Sequence, residues 1–326
     1  KYWGVGNESW GCGGNMRPEF YADLYRRYAT YCRDYGANKL YKIASGASDY
    51  DYNWSEVLMK NIGWRMDGLS LHYYTVKGWR GSKGSATQFT EDEYMFIIDK
   101  CLGIEPVLQK HIAIMDQYDP EKRIELLVDE WGTWYDVEPG TNPGFLYQQN
   151  TLRDAFVAAL SFNIFHKYTE RIKMANIAQI VNVLQALILT DNEKMVLTPT
   201  YHVFDMYQVH KEATLIPFEL KSGTYKLGDK EVPAVSATSS KSADGSINIS
   251  LANVDPTKGN SVVCTVAGGK NKKVSGKILT SAKVQDHNTF ENPNAVQLKD
   301  FTGYKWKGDQ LTIELPAKSI VTVTIK

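Results

Sequence analysis

The chain has 326 residues, 43% of them hydrophobic and 23% charged, which gives room for about two domains of roughly 150 residues and argues against intrinsic disorder. Its 37 Lys and Arg cancel its 37 Asp and Glu, against a nucleic-acid binder driven by bulk charge and against a polybasic membrane-surface protein. Aromatic residues make up 12%, with 20 Tyr and 8 Trp, a load that fills a core and also suits holding sugars against ring faces.

In chain order, residues 2–6 are short, aromatic and apolar and predict a strand. Residues 17–31 carry a helical pattern through Phe20, Leu24, Tyr28 and Tyr31, with Pro18 near its start and Gly36 expected to close it. A strand is predicted at 39–44, a short helix at 54–60, a strand at 68–74, and helices at 91–100 and 105–118. A strand follows at 124–129, then a long helix over 146–166 and a strand at 172–175. The last helix of this part is expected within 198–209. Strands alternating with helices imply parallel units with both sheet faces covered. Beyond residue 211 the helical period vanishes. Short alternating runs at 246–251, 295–298, 310–315 and 320–325, set between Gly, Asn, Asp and Pro, predict an all-β sandwich. The expected domains are therefore 1–211 and 212–326.

Four cysteines, Cys12, Cys32, Cys101 and Cys264, are too few and scattered for a disulfide framework and form no Cys-x-x-Cys pair. The apolar stretch 176–190 is interrupted by Gln179, Asn182 and Gln185, so no membrane span is expected. The opening residues show no signal-peptide pattern and read as a strand in mid-domain. His111, His166, His202, His210 and His287 lack ligand spacing, so no metal site or other cofactor is expected. Gly11-Cys12-Gly13-Gly14 lacks the strand and Lys of a phosphate loop, and Cys12 has no His or Asn partner pattern for a nucleophile.

Two carboxylates end predicted strands. Glu8 follows Gly6-Asn7, and Glu130 follows Leu126-Leu127-Val128-Asp129, with Trp10, Trp131 and Trp134 nearby. Alone, a strand-end Glu reads as a solvated or ion-paired residue. In a parallel barrel, however, strand ends converge on one face, and facing carboxyls are what glycosidic cleavage needs. His72-Tyr73-Tyr74 ends another strand; alone it reads as packing, and beside the two Glu strands it becomes a group able to orient a carboxylate.

The segment Lys1-Tyr2-Trp3-Gly4-Val5-Gly6-Asn7-Glu8-Ser9-Trp10-Gly11-Cys12-Gly13-Gly14-Asn15-Met16 resembles the acid/base segment of family 51 glycoside hydrolases, the α-L-arabinofuranosidases. Asp129-Glu130-Trp131-Gly132-Thr133-Trp134-Tyr135 is similar to their nucleophile segment. The stretch from Met174 to Val183 resembles their last barrel strand and its turn, and Asn288-Thr289-Phe290-Glu291-Asn292-Pro293 resembles part of their sandwich. The resemblance implies a (β/α)8 TIM-type barrel with a C-terminal, jelly-roll-like β-sandwich. It makes Glu8 the general acid/base and Glu130 the nucleophile of a retaining hydrolysis that releases L-arabinofuranose from arabinan, arabinoxylan or arabino-oligosaccharides. Asn7, Tyr74 and Gln179 would bind sugar or nucleophile, His72 would orient a carboxylate, and Trp10, Trp131 and Trp134 would wall the pocket. Retention implies carboxyls roughly 5 Å apart and a Glu8 pKa raised partly by charge repulsion.

In the family the acid/base Glu closes the fourth strand, whereas here it is the eighth residue. The barrel is thus expected to be incomplete, with about five strands, and activity to require the N-terminal barrel segment, carried by the same product or a separate chain. The other expected partner is an arabinose-containing oligosaccharide or polysaccharide, with neither nucleic acid nor membrane. A homo-oligomer is compatible with the resemblance, as is a bacterial cytoplasmic or periplasmic location in preference to secretion. Two alternatives stay open: another barrel glycosidase such as an endoglucanase or xylanase, and a non-catalytic carbohydrate-binding fragment.

Overall fold

The computed structural model describes residues 1–267 and 272–326. The elements in order are β1 (Tyr2–Val5), α1 (Pro18–Ala29), β2 (Tyr41–Ser48), α2 (Tyr52–Ile62), β3 (Gly68–Val76), α3 (Glu91–Leu102), α4 (Ile104–Tyr118), β4 (Glu125–Trp134), α5 (Leu152–Lys167) and β5 (Ile172–Ile177). They are followed by β6 (Ile188–Asp191), β7 (Lys194–Leu197), α6 (Pro199–Tyr207), β8 (Thr214–Leu215), β9 (Thr224–Leu227), β10 (Lys230–Pro233), β11 (Val235–Lys241) and β12 (Ile247–Asn253). The last six are β13 (Asn260–Thr265), β14 (Val274–Thr280), β15 (Lys299–Asp300), β16 (Tyr304–Lys307), β17 (Gln310–Leu315) and β18 (Ser319–Ile325). Among the described residues, no helix is long and apolar enough to cross a membrane.

The chain forms two compact units, the first made of Lys1–Tyr74, Gly103–Trp131 and Tyr168–Ile177. Its centre is a five-stranded sheet in the order β1-β2-β3-β4-β5, with parallel pairing at β1–β2, β2–β3 and β4–β5. Sequence order equals spatial order, as in an arc of a barrel. All nine residues of β3 are buried, as expected of a central parallel strand covered on both faces. Helix α1 begins with Pro18, buries Tyr21, Ala22, Tyr25 and Ala29 as one stripe, and carries Arg26 and Arg27 in its last turn, where cations suit the helix dipole. Arg171, buried at the start of β5, donates to Asp119 Oδ2 and to the Ile124 carbonyl, both at 2.8 Å, and pins that strand to the turn before β4.

Strand β2 approaches β3 too closely for a side chain at one point. A Cβ added at Gly46 would lie 1.6 Å from the Ser70 carbonyl oxygen, at the register shift between Ala44 and Ala47. Gly46→Ala must therefore push backbone apart, and a loss of about 3 kcal/mol is expected. Urea unfolding midpoints of the variant and parent measure it, and an unchanged midpoint would show that the strands separate at no cost.

The second unit comprises Thr75–Leu102, Gly132–Lys167 and Ala178–Lys326. Its larger antiparallel sheet has the order β15-β14-β18-β12-β11-β8 and its smaller one β13-β17-β16. Burial alternates along β13 and mostly along β17, whereas six of the seven residues of β18 are buried. Helix α5 packs on β11 and β12 and α6 on β14 and β18, so the face that alternation would leave polar is covered. That is why 13 of the 16 residues of α5 are buried.

Several expected boundaries shift. Helix α1 stops at Ala29, well before Gly36. Helix α5 starts at Leu152 and not at 146, because Asp154 Oδ2 accepts from the Thr151 N–H (2.7 Å) and hydroxyl (3.1 Å), closing an N-terminal cap. The run 295–298 is no strand: Asn288 accepts from the Val296 N–H at 2.7 Å and donates to its carbonyl at 2.9 Å. The side chain has taken the place of a ladder neighbour. The β6–β7 hairpin, which begins at the end of the apolar stretch 176–190, was not foreseen.

Candidate active site

Glu8 stands just beyond β1 in a loop whose backbone holds it in an unusual conformation. Gly6 has φ 105° and Glu8 itself φ 43°, a left-handed geometry that non-glycine residues seldom adopt without compensation. The compensation is local: the Glu8 carbonyl accepts from the N–H groups of Gly11 (2.8 Å) and Gly13 (3.0 Å), and Met16 N–H reaches the Ser9 carbonyl at 2.8 Å. Gly13 leaves no room for a side chain, since its Cβ would fall 1.7 Å from the Asn7 oxygen. Ser9 N–H donates to Ser45 Oγ at 3.2 Å and Trp10 Nε1 to the Gly46 carbonyl at 3.1 Å, tying the loop to β2.

His72, on β3 and 2% exposed, joins the carboxylates. Its Nδ1 is 2.9 Å from Glu8 Oε1 and 3.4 Å from Glu130 Oε2, and its Nε2 is 3.3 Å from Asp129 Oδ1. Two consecutive residues of β4 would ordinarily point to opposite faces. Here the β4–β5 register shifts between Val128 and Trp131, and both Asp129 and Glu130 are half-buried beside one ring. Tyr74, two residues after His72 on the same face, donates its hydroxyl to Glu130 Oε2 at 2.8 Å. One oxygen of Glu8, one of Glu130 and a ring nitrogen of His72 all lie within 4.8 Å of one another.

Burial alone would lower the His72 pKa, but hydrogen bonds to Asp129 and Glu8 and the charges of Glu130 and Asp129 outweigh it and lift the ring to about 9. The hydrogen bond from His72 holds Glu8 below the usual glutamate value, against its burial, with help from the Cys12 thiol and the charge of His72. This reverses the raised value that repulsion between two carboxylates implies, because a cation stands between them. Burial, then the charge of Glu130 and the bond to it, raise the Tyr74 phenol, which keeps it a donor. Glu8, His72 and Glu130 offer donor types for a divalent cation; a proton on His72 Nδ1 competes with any such ion.

The other expected residues are placed as follows. Asn7 is exposed, beside Glu8. Trp10 meets His72 edge-on with centroids 6.5 Å apart. Trp131 is 1% exposed and belongs to the packed interior. Trp134 and Gln179 lie in the second unit, Trp134 edge-on to Trp79 at 5.5 Å. Gln179 is exposed and lines a cleft with Phe145, Asn182 and Phe290. Two contacts were missed by sequence reasoning. The Cys12 thiol donates to Glu8 Oε2 at 3.1 Å, and Asp129 backs His72. The Asp immediately before Glu130 was a visible signal, but the strand irregularity that turns it inward was not.

Residues 129–319 match the family model described as the α-L-arabinofuranosidase C-terminal domain. The chain belongs to the α-L-arabinofuranosidases. An intracellular exo-α-L-arabinofuranosidase of Bacteroides ovatus is 61% identical over 327 residues, covering 100% of this arabinofuranosidase chain and 64% of the relative. The crystal structure of a family 51 arabinofuranosidase from Xanthomonas axonopodis pv. citri is 49% identical with a TM-score of 0.97, covering 100% of this chain and 66% of that one. The arabinofuranosidase chain thus spans about two thirds of the lengths of these relatives. Its five parallel strands correspond to part of their barrel, and its antiparallel sheets to their C-terminal sandwich. A Paenibacillus polymyxa xyloglucanase of family 44 shares the fold at 12% identity and a TM-score of 0.66, covering 100% of this chain and 66% of that one.

Proposed function

We propose that the protein is a retaining, exo-acting α-L-arabinofuranosidase that releases L-arabinofuranose from the ends of arabinose-containing oligosaccharides or polysaccharides, with residues 1–211 as barrel and 212–326 as sandwich. The observation that carries this reading is the Glu8–His72–Glu130 cluster with its oxygens and ring nitrogen within 4.8 Å. That spacing suits the roughly 5 Å of a retaining pair better than the roughly 6.5–9.5 Å of an inverting one. Exo action and a location inside the cell follow the Bacteroides ovatus relative.

Glu130 is the nucleophile. Tyr74 donates to its Oε2, which leaves Oε1 to attack the anomeric carbon. Glu8 is the acid/base. Without substrate the shared proton rests on His72. When the sugar displaces water, burial penalises the imidazolium–carboxylate pair, and the proton passes from His72 Nδ1 to Glu8 Oε1 across 2.9 Å. Glu8 then donates it to the glycosidic oxygen as the covalent arabinosyl-enzyme forms, and as base it activates the water that hydrolyses that ester. Asn7 grips the hydroxyl beside the anomeric carbon. Trp10, edge-on to His72, walls the sugar, and the N-terminal barrel segment supplies the remaining contacts.

The full-length protein, given aryl α-L-arabinofuranosides, β-xylosides and β-glucosides, should hydrolyse the first with a clear preference. Proton NMR of the first-formed arabinose should show the α anomer. Initial release of the β anomer would overturn the retaining mechanism, and preference for xyloside or glucoside would overturn the substrate assignment.

A further inference from the structure

The second unit contains a cavity of about 180 Å³ that the hydrolytic mechanism does not use. Arg153, in the first turn of α5, forms its inner wall and is 1% exposed. The guanidinium lies 3.6 Å from the Phe89 ring centroid and 4.0 Å from that of Tyr135. Its Nη2 donates to the carbonyls of Ser85 and Ala86 at 3.3 and 3.1 Å, while Nε is buried with no hydrogen-bond partner. Among the described residues no carboxylate pairs with it, because the adjacent Asp154 is engaged by Thr133 and Thr151. Ring stacking and neutral carbonyls compensate part of a buried cation's lost hydration, and an anion compensates the rest. The N-terminal end of a helix makes the position still less favourable for a bare cation.

The rest of the lining is mixed in a particular way. Lys77 and Lys83 add two more cations, and Phe96 and Tyr135 add ring surface. Of the two acids present, Glu93 already accepts from the Thr90 N–H at 3.0 Å and faces Lys77 at 3.8 Å. Asp92 is exposed at the rim. One cavity thus brings together three cations, two aromatic rings and, in Asp92, an exposed carboxylate that can accept hydroxyl groups.

We propose that this cavity binds a hexuronate, a sugar ring bearing a carboxylate. The carboxylate meets Arg153 and the two lysines, the ring rests against Phe96 and Tyr135, and hydroxyls donate to Asp92. A neutral sugar leaves the buried cation uncompensated, and an inorganic anion leaves the ring surface and Asp92 unused. Occupancy is read without turnover, so failure of this assignment and failure of the hydrolytic one are separate results.

Titration calorimetry of the full-length protein with glucuronate, galacturonate, glucose, galactose and inorganic phosphate tests it, alongside the Lys77→Gln/Lys83→Gln variant. Both lysines lie outside the packed core, so that variant keeps its fold. The expected result is saturable uronate binding that weakens about tenfold or more in the variant and falls with added salt, with no heat from the neutral sugars. Absence of uronate binding, equal binding by the variant, or phosphate binding as tight as uronate would overturn the proposal.

Discussion

Glu130→Ala in the full-length protein is expected to lose turnover of aryl α-L-arabinofuranosides by about 10⁴-fold or more, because no covalent intermediate forms without its carboxylate. Glu8→Ala should behave differently. With a good leaving group such as dinitrophenolate, the first step needs no proton donor, so a burst of phenolate should precede a slow second step. Added azide should then accelerate the second step by replacing the water that Glu8 would activate. The two variants share one cluster through His72, yet they separate in stopped-flow burst amplitude. Near-parental turnover by Glu130→Ala would end the assignment, and a burst in Glu130→Ala but not in Glu8→Ala would exchange the two roles.

Acid should weaken the second unit through a pair of buried histidines. His210 is held between Ser240 Oγ and Ser250 Oγ at 2.7 and 2.8 Å, and His166 Nδ1 is 3.0 Å from Thr238 Oγ1, with the two ring centroids 5.3 Å apart. Burial lowers His166 to about 4; burial, then the charge of His166, lowers His210 to about 3. Both rings are therefore neutral when folded, whereas unfolded they take up protons near pH 6.5. The unfolded chain binds more protons as pH falls through that value, so stability is full above it and declines between about 6.5 and the folded values. At pH 5 the loss is on the order of 2 kcal/mol per histidine. Urea unfolding at pH 7 and pH 5 measures it. A His166→Gln/His210→Gln chain should lose much less over the same interval. An identical loss would place the acid sensitivity elsewhere.

Most of the first unit and the residues of its candidate site were legible because parallel strands advertise themselves twice, by apolar runs and by polar residues at their carboxyl ends. Glu8, His72, Tyr74 and Glu130 are all of this kind, and the structure brings all four together. The contacts that escaped depend on backbone irregularity. Cys12 reaches Glu8 through a loop set by the left-handed φ of Glu8, and Asp129 faces His72 through a register shift. Neither leaves a periodic trace. Val296 and Thr151 make the same point for boundaries, since in each case a side chain bonded to backbone overrode the local pattern. The direction of the Glu8 pKa was misjudged for a related reason: a count of carboxylates omits the cation placed between them.

The glycines beneath Glu8 bear on how this chain can diversify. At Gly13 and Gly46 one methyl group would overlap a carbonyl oxygen, so the loop that carries Glu8 and its footing on β2 admit no side chain at either position. A change of ligand preference must then be written into segments that tolerate substitution, and a library with that aim should leave Gly13 and Gly46 as they are.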